Sequence, residues 1–291
     1  MSQKTKGTAL TVLSAVIFGL SPMWAGVFRR GGGNPMLLTL FRNICFLPIC
    51  IVMCRRAGRS PLPTLTKGRA PRLLLLALFS AGTQVLLFSS YRYMATGVCT
   101  TVHFVYPLLV FAIGAVVFHD RIDRRAAVCL VLCMIGLLCF YPRGEQISLT
   151  GFTLALCSGL TFASYMVMLE KGGFEDLLAP QLQFCCAAVG IVLCTVCCAV
   201  TGNLTLALQP GAWVVGIFAA CLMCGGVLLL QYGVRFVGAR KASLLSTFEP
   251  ITSLVVGFTV MHEHLDVVAV LGACVILSSV LLFYAPVRTK A

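Results

Sequence analysis

The sequence is short of charge. Only 11% of its 291 residues are Asp, Glu, Lys or Arg, where soluble domains carry roughly a quarter. Acidic residues are the scarcer sign, 9 against 22 basic ones. None of the four types occurs between Asp176 and Arg235. So little polar surface excludes a water-coated globule, and lipid becomes the expected surrounding. A long connection is missing too. The longest is the basic stretch from Arg55 to Arg72, which leaves no room for a folded soluble domain. Also lacking are a Gly-rich phosphate loop, a serine-hydrolase elbow, and a cluster of His, Asp or Ser at one membrane edge. These absences weigh against an ATP-driven pump. They also weigh against a polytopic membrane enzyme acting on a lipid-linked substrate, which stands as the alternative reading. No cofactor and no metal are expected.

What is present is apolar: 59% of residues, with a mean hydropathy of +0.98. Apolar runs divided by turn signals predict an all-α, polytopic membrane protein of ten spans. Their expected limits are 7–28, 35–54, 72–94, 98–118, 125–141, 150–170, 178–201, 211–234, 242–261 and 266–285. The first run follows Lys4 and Lys6, as in a signal peptide, but it is too long and ends without a cleavage site, so it is read as a retained span. The sixteen cysteines lie almost entirely inside these runs. Thiolates in hydrocarbon are costly, so the cysteines read as reduced packing residues, not as disulfides or metal ligands.

The net charge of +13 sits in short loops and not on one helix face, so no nucleic-acid partner is expected. With the N-terminus placed in the cytoplasm, about 17 basic residues fall on the cytoplasmic side and about 4 outside. The inner group includes Arg55, Arg56, Arg59, Lys171, Arg240 and Lys241; the outer is Arg29, Arg30, Arg92 and Arg143. The expectation is a multi-pass protein of the cytoplasmic (inner) membrane with both termini cytoplasmic.

The chain resembles itself at an offset of 143 residues. Arg92 then pairs with Arg235, Pro107 with Pro250, Gly114 with Gly257, His119 with His262, and Asp123 with Asp266. Earlier matches are weaker and fall at an offset of 144: Gly7 with Gly151, Ser14 with Ser158, and Phe18 with Phe162. Two units are expected, 7–142 and 149–286, each of five helices. Five is odd, so the second unit enters the membrane from the opposite side, as in the inverted repeats of secondary transporters.

The segment from Tyr91 to Asp123 and its partner from Val234 to Asp266 carry a further likeness. Each holds a Pro in the fourth helix of its unit, then a Gly, then a short polar end. Those ends read His119-Asp120-Arg121-Ile122 and His262-Glu263-His264-Leu265. The chain thereby resembles the EamA family of the drug/metabolite transporter superfamily. That family usually has Glu at the acidic position; Glu263 matches and Asp120 departs conservatively. The resemblance implies a ten-helix carrier, often an exporter of amino acids or other metabolites. Its partners would be a small-molecule substrate and membrane lipid; a homodimer is left open.

Candidate substrate or coupling residues follow from polarity inside the spans. Glu249 lies about eight residues into the ninth span, roughly 12 Å deep at 1.5 Å per residue. A carboxylate there costs about 2.5–3.5 kcal/mol or more, so it must face a cavity, find a partner or take up a proton. A structural hydrogen bond to a neighbouring helix is the competing reading. Pro107 and Pro250 break helices at equivalent positions and free the carbonyls of His103 and Ser246. Tyr106 is the repeat partner of Glu249, and His103 lies one turn before it. Arg42 sits in the second span, as an anion ligand, a partner for Glu249, or a side chain reaching for headgroups. Gln84 and Gln231 are neutral candidates with interhelical bonding as the plainer use. Trp24 and Tyr165 could wall a cavity. His262, Glu263 and His264 have the wrong spacing for a helical metal motif.

Overall fold

The computed structural model describes residues 3–64, 66–141, 147–205, 207–262 and 266–284. Glu263, His264 and Leu265 of the second polar end lie outside them, as do Arg143, Arg288 and Lys290. The described residues form thirteen helices and no strand. They are α1 (Gln3–Gly19), α2 (Ser21–Arg30), α3 (Pro35–Arg56), α4 (Arg69–Ser90), α5 (Thr96–His103), α6 (Tyr106–Phe118), α7 (Arg124–Leu138), α8 (Leu149–Lys171), α9 (Ala179–Val200), α10 (Pro210–Val237), α11 (Ala239–Leu245), α12 (Phe248–Thr259) and α13 (Val267–Tyr284). Three pairs run nearly end to end, α1 with α2, α5 with α6 and α11 with α12, which leaves ten segments. Eight are long and apolar enough to cross a membrane; α13 is a shorter apolar helix, and α7 has 15 residues. The protein is therefore all-helical and polytopic.

Local chemistry starts and stops these helices. Asn34 caps α3 by accepting from the Leu37 N–H at 2.9 Å, and Asp123 caps α7 by accepting from Ala126 at 2.6 Å. Pro35, Pro180 and Pro210 occupy first turns, where a missing N–H costs nothing. Inside the fourth and ninth segments proline does the opposite, although α3 runs on unbroken through Pro48. The fourth segment breaks at Phe104–Val105, just before Pro107, and the ninth at Ser246–Thr247, just before Pro250. The first span was expected unbroken over 7–28; the structure divides it at Leu20, ahead of Pro22.

Packing joins α1 to α10, α4 to α8, α3 to α9, and α7 to α13. The α7–α13 contact is close because Gly136 and Gly272 face each other: a Cβ on Gly272 would lie 2.5 Å from the Gly136 carbonyl. Outward-facing side chains are apolar and bare, as with Leu149 (81% exposed) and Val200 (82%), which is the surface lipid covers. All sixteen cysteines are free. The largest buried cluster joins Tyr106, Tyr165, Met166, Leu169, Leu182, Val234, Ala239 and Ala242. It fills the end of the bundle where α1 begins, called here the basal end; the other is the distal end.

Candidate functional site

Glu249 is the second residue of α12, directly after the break in the ninth segment. Its backbone carbonyl backs onto Gly19, where a Cβ would come within 2.8 Å. Ser253 Oγ donates to the Gly19 carbonyl at 3.0 Å and ties the two broken segments together. The Glu249 side chain is half-buried and forms no hydrogen bond or ion pair with any described residue. Tyr91 and Tyr106 lie within reach of its charge.

Tyr106 opens α6 after the break in the fourth segment, so the two breaks bring the phenol and the carboxyl toward each other. Its hydroxyl is buried without a hydrogen bond. Ser246, beside it, gives its own hydrogen to the Ala242 carbonyl at 2.9 Å. The Tyr106 ring stands edge-on to Phe162 at 4.7 Å and 5.5 Å from His103. Phe162 in turn stacks on Tyr165 at 6.1 Å. His103 Nδ1 lies 2.9 Å from Ser158 Oγ. Of the two carbonyls freed by the prolines, that of Ser246 accepts from the Glu249 N–H at 3.0 Å. That of His103 faces Gly159, where a Cβ would stand 2.9 Å away.

Arg42 lies elsewhere in the interior, among Cys194, Cys224 and Tyr165, and its Nε is buried without a partner. It makes no ion pair with Glu249; the three ion pairs among described residues lie at the basal end. Gln84 is occupied, its Oε1 accepting from Asn43 Nδ2 at 3.1 Å. Gln231 donates to Tyr165 Oη at 2.8 Å and to Gln183 Oε1 at 2.7 Å, leaving its own Oε1 unpaired. Trp24 packs edge-on against Phe218 at 5.1 Å, and its Nε1 is buried without a partner.

Thus Tyr106, His103 and Glu249 gather around the two breaks. Tyr165 is a further ring neighbour of Phe162 and has Arg42 near it, Gln84 belongs to a helix-joining pair, and Trp24 sits on α2. Two residues at the centre were not singled out from the sequence. Phe162 had a faint signal, its match with Phe18 in the repeat. Tyr91 had none beyond its place at the start of the repeated segment.

The basal end carries a second polar group. Asp120 Oδ2 accepts from Lys171 Nζ at 2.5 Å and from Arg240 Nη2 at 3.1 Å. The hydrogen bond from Lys171, with Arg240 nearby, holds the Asp120 carboxyl below the usual carboxylate range. Glu170 Oε2 accepts from the Ala239 N–H at 2.8 Å, at the start of α11.

Known proteins agree with this architecture. An uncharacterized transporter of Synechocystis is 23% identical over 88% of this chain and 83% of its own length. One from Archaeoglobus fulgidus is 25% identical over 95% of both, and the Bacillus subtilis transporter YxxF 22% identical over 100% and 94%. A crystal structure with 13% identity superposes with a TM-score of 0.80 over 95% of this chain and 97% of that one, which shows a shared fold. The class is a multi-pass membrane transporter, not an enzyme. More narrowly, the chain belongs to the EamA-like transporter family, whose model matches residues 5–141 and again 149–285.

Proposed function

We propose that the chain is a secondary transporter exporting a small metabolite, such as an amino acid or a related compound, across the cytoplasmic membrane by alternating access. Its two units, 7–142 and 149–286, are inverted repeats, and both termini are cytoplasmic, which makes the basal end the inner one. The observation that carries the reading is the set of unpaired polar atoms within the spans. Trp24 Nε1, Arg42 Nε, Tyr106 Oη and Gln231 Oε1 are all buried without partners, and the Glu249 carboxyl, near Tyr106, is unbonded as well. Each such atom costs about 1–3 kcal/mol, a cost a polar substrate would offset. The packing supports the repeat. Shifting each span by five exchanges the α1–α10 contact with the α8–α4 contact and returns α3–α9 and α7–α13 to themselves. His119 and His262, at the repeat offset, both adopt left-handed backbone, with φ of 52° and 55°.

Glu249→Gln is the test. It keeps shape and much hydrogen bonding but removes the charge. Transport into liposomes should fall at least tenfold or lose its pH dependence across about pH 5.5 to 8, with thermal stability little changed. Normal rates throughout that range would remove Glu249 from the mechanism and leave the family assignment intact.

A further inference from the structure

The unpaired atoms differ in what they can accept, and their chemistry describes a ligand. Arg42 Nε and Trp24 Nε1 only donate. Gln231 Oε1 only accepts and, being neutral, adds no preference for charge. Tyr106 Oη does either. The Glu249 carboxylate only accepts. His103 can be assigned as well: the Ser158 hydroxyl donates to the Ala155 carbonyl at 2.6 Å, so it accepts from His103 Nδ1 at 2.9 Å. The neutral ring then keeps its lone pair on Nε2. The acceptors for a cation are therefore Glu249, Tyr106 and His103, the last two with rings 5.5 Å apart.

The opposite charge stands apart. Arg42 lies with Cys194, Cys224 and Tyr165, and Glu249 with Gly19, Tyr91 and Tyr106. The two surroundings share no residue. They are linked through the rings of Tyr106, Phe162 and Tyr165, spaced 4.7 and 6.1 Å, and no ion pair joins them. A simple amine would leave Arg42 uncompensated in the interior, and a simple carboxylic acid would leave Glu249 so; either is costly there. An α-amino acid carries both charged groups on one carbon and suits two separated partners poorly.

We infer that the ligand is a zwitterion with a spacer: an ammonium held by Glu249, Tyr106 and His103, a carboxylate held by Arg42, and a chain between them lying along Phe162. The inference rests on the transport reading above and deepens it.

Ligand-induced thermal shifts and titrations of the purified full chain in detergent test it without requiring turnover. The probes are the ω-amino acids from 3-aminopropanoic to 6-aminohexanoic acid, with norvaline, pentylamine and pentanoate as controls. At least one ω-amino acid should bind on the order of tenfold tighter than every control, the difference one charge-assisted contact makes. Arg42→Gln should reduce that ligand to the level of pentylamine, and Glu249→Gln to the level of pentanoate. Arg42→Lys, which keeps the charge, should retain most of the binding and so separates lost recognition from misfolding. Pentylamine or norvaline binding as tightly, an unaffected Arg42→Gln protein, or no binding by any ω-amino acid would each overturn the inference. Cellular efflux measured alongside keeps the failures apart: efflux that depends on the chain without zwitterion binding retires the ligand class and leaves the transport reading.

Discussion

The two halves of the ninth segment are built differently. In α11, at the basal end, Ala239, Ala242, Ser243, Leu244 and Leu245 are all buried. In α12, on the distal side of the break, Gly257 alone is buried among the described residues of the helix. The fourth segment does not share the contrast: its basal half α6 buries five of 13 residues and the distal α5 three of eight. Charge follows burial. Asp120 joins the ends of the fourth, sixth and ninth segments through Lys171 and Arg240, and Arg240 also donates to the Arg121 carbonyl at 3.0 Å. The basal end is thus fastened by apolar packing and a charge cluster together, while α12 is held mainly through Gly19. The broken helices are where a carrier would change the side from which its interior is reached.

The largest test of the contrast is a matched pair of insertions. Ala242→Trp places an indole in a fully buried position of α11. It should cost about 1–3 kcal/mol or more, because a packed core gives little. Val255→Trp on α12, 53% exposed, should stay within about 0.5 kcal/mol. Thermal denaturation in one detergent measures both. Equal losses would mean that α12 is as tightly held as α11.

A smaller effect is expected from the charge cluster. Asp120→Asn keeps the side-chain size and removes the charge that Lys171 and Arg240 share. The partly exposed pairs are worth about 1 kcal/mol together, so amide exchange in α11 should quicken roughly fivefold, with α12 unchanged. The pH dependence has a definite sign. Asp120 has a folded-state pKa below its unfolded value, so its contribution is present above the unfolded value of about 3.9 and is lost as pH falls through the folded one. The difference in melting temperature between wild type and Asp120→Asn should therefore hold steady from neutral pH down to about 5 and close only below about 4. Closure nearer neutrality would mean that another group carries the fastening.

Much of this was legible in advance, for physical reasons. Lipid forces backbone satisfaction inside each span, so hydropathy and prolines were enough to place ten segments and both repeated breaks. Glu249 was conspicuous because a charge deep in a span is expensive. Partners were not legible. Asp120 meets Lys171 and Arg240 from 51 and 120 positions away in the chain, and no spacing announces such a meeting. Arg42 and Glu249 offered an obvious pair from sequence, yet they lie in different surroundings. Tyr91 and Phe162 were overlooked because aromatic residues are common in apolar runs, and only the fold shows Tyr91 near Glu249 and Phe162 against Tyr106. The break at Leu20 was missed because the apolar run continues past Pro22 to Phe28, so that 7–28 read as one span.

The smallest expected difference is the most searching check, because it concerns the part of the bundle where the two ends should not differ. The second and seventh spans, α3 and α9, pack along their length and are fastened at both faces. At the distal face Asn34 caps α3 and donates from Nδ2 to the Asn203 carbonyl at 2.8 Å. At the basal face Gln181 accepts from the Leu178 N–H at 3.0 Å and donates from Nε2 to the Ser60 carbonyl at 2.7 Å. Each amide thus closes a helix start on its own span and reaches the loop that follows the partner span. Asn34→Ala and Gln181→Ala should each cost about 1 kcal/mol, the usual worth of such a cap. Because the two sites are far apart, the double variant should cost the sum within about 0.5 kcal/mol. Near-equal, additive losses would make α3 and α9 a frame indifferent to which end is open, with the moving parts confined to the broken segments. A loss at Gln181 that greatly exceeds the loss at Asn34 would extend the tighter basal packing into the frame itself. The contrast between α11 and α12 would then describe the whole bundle and not one hinge.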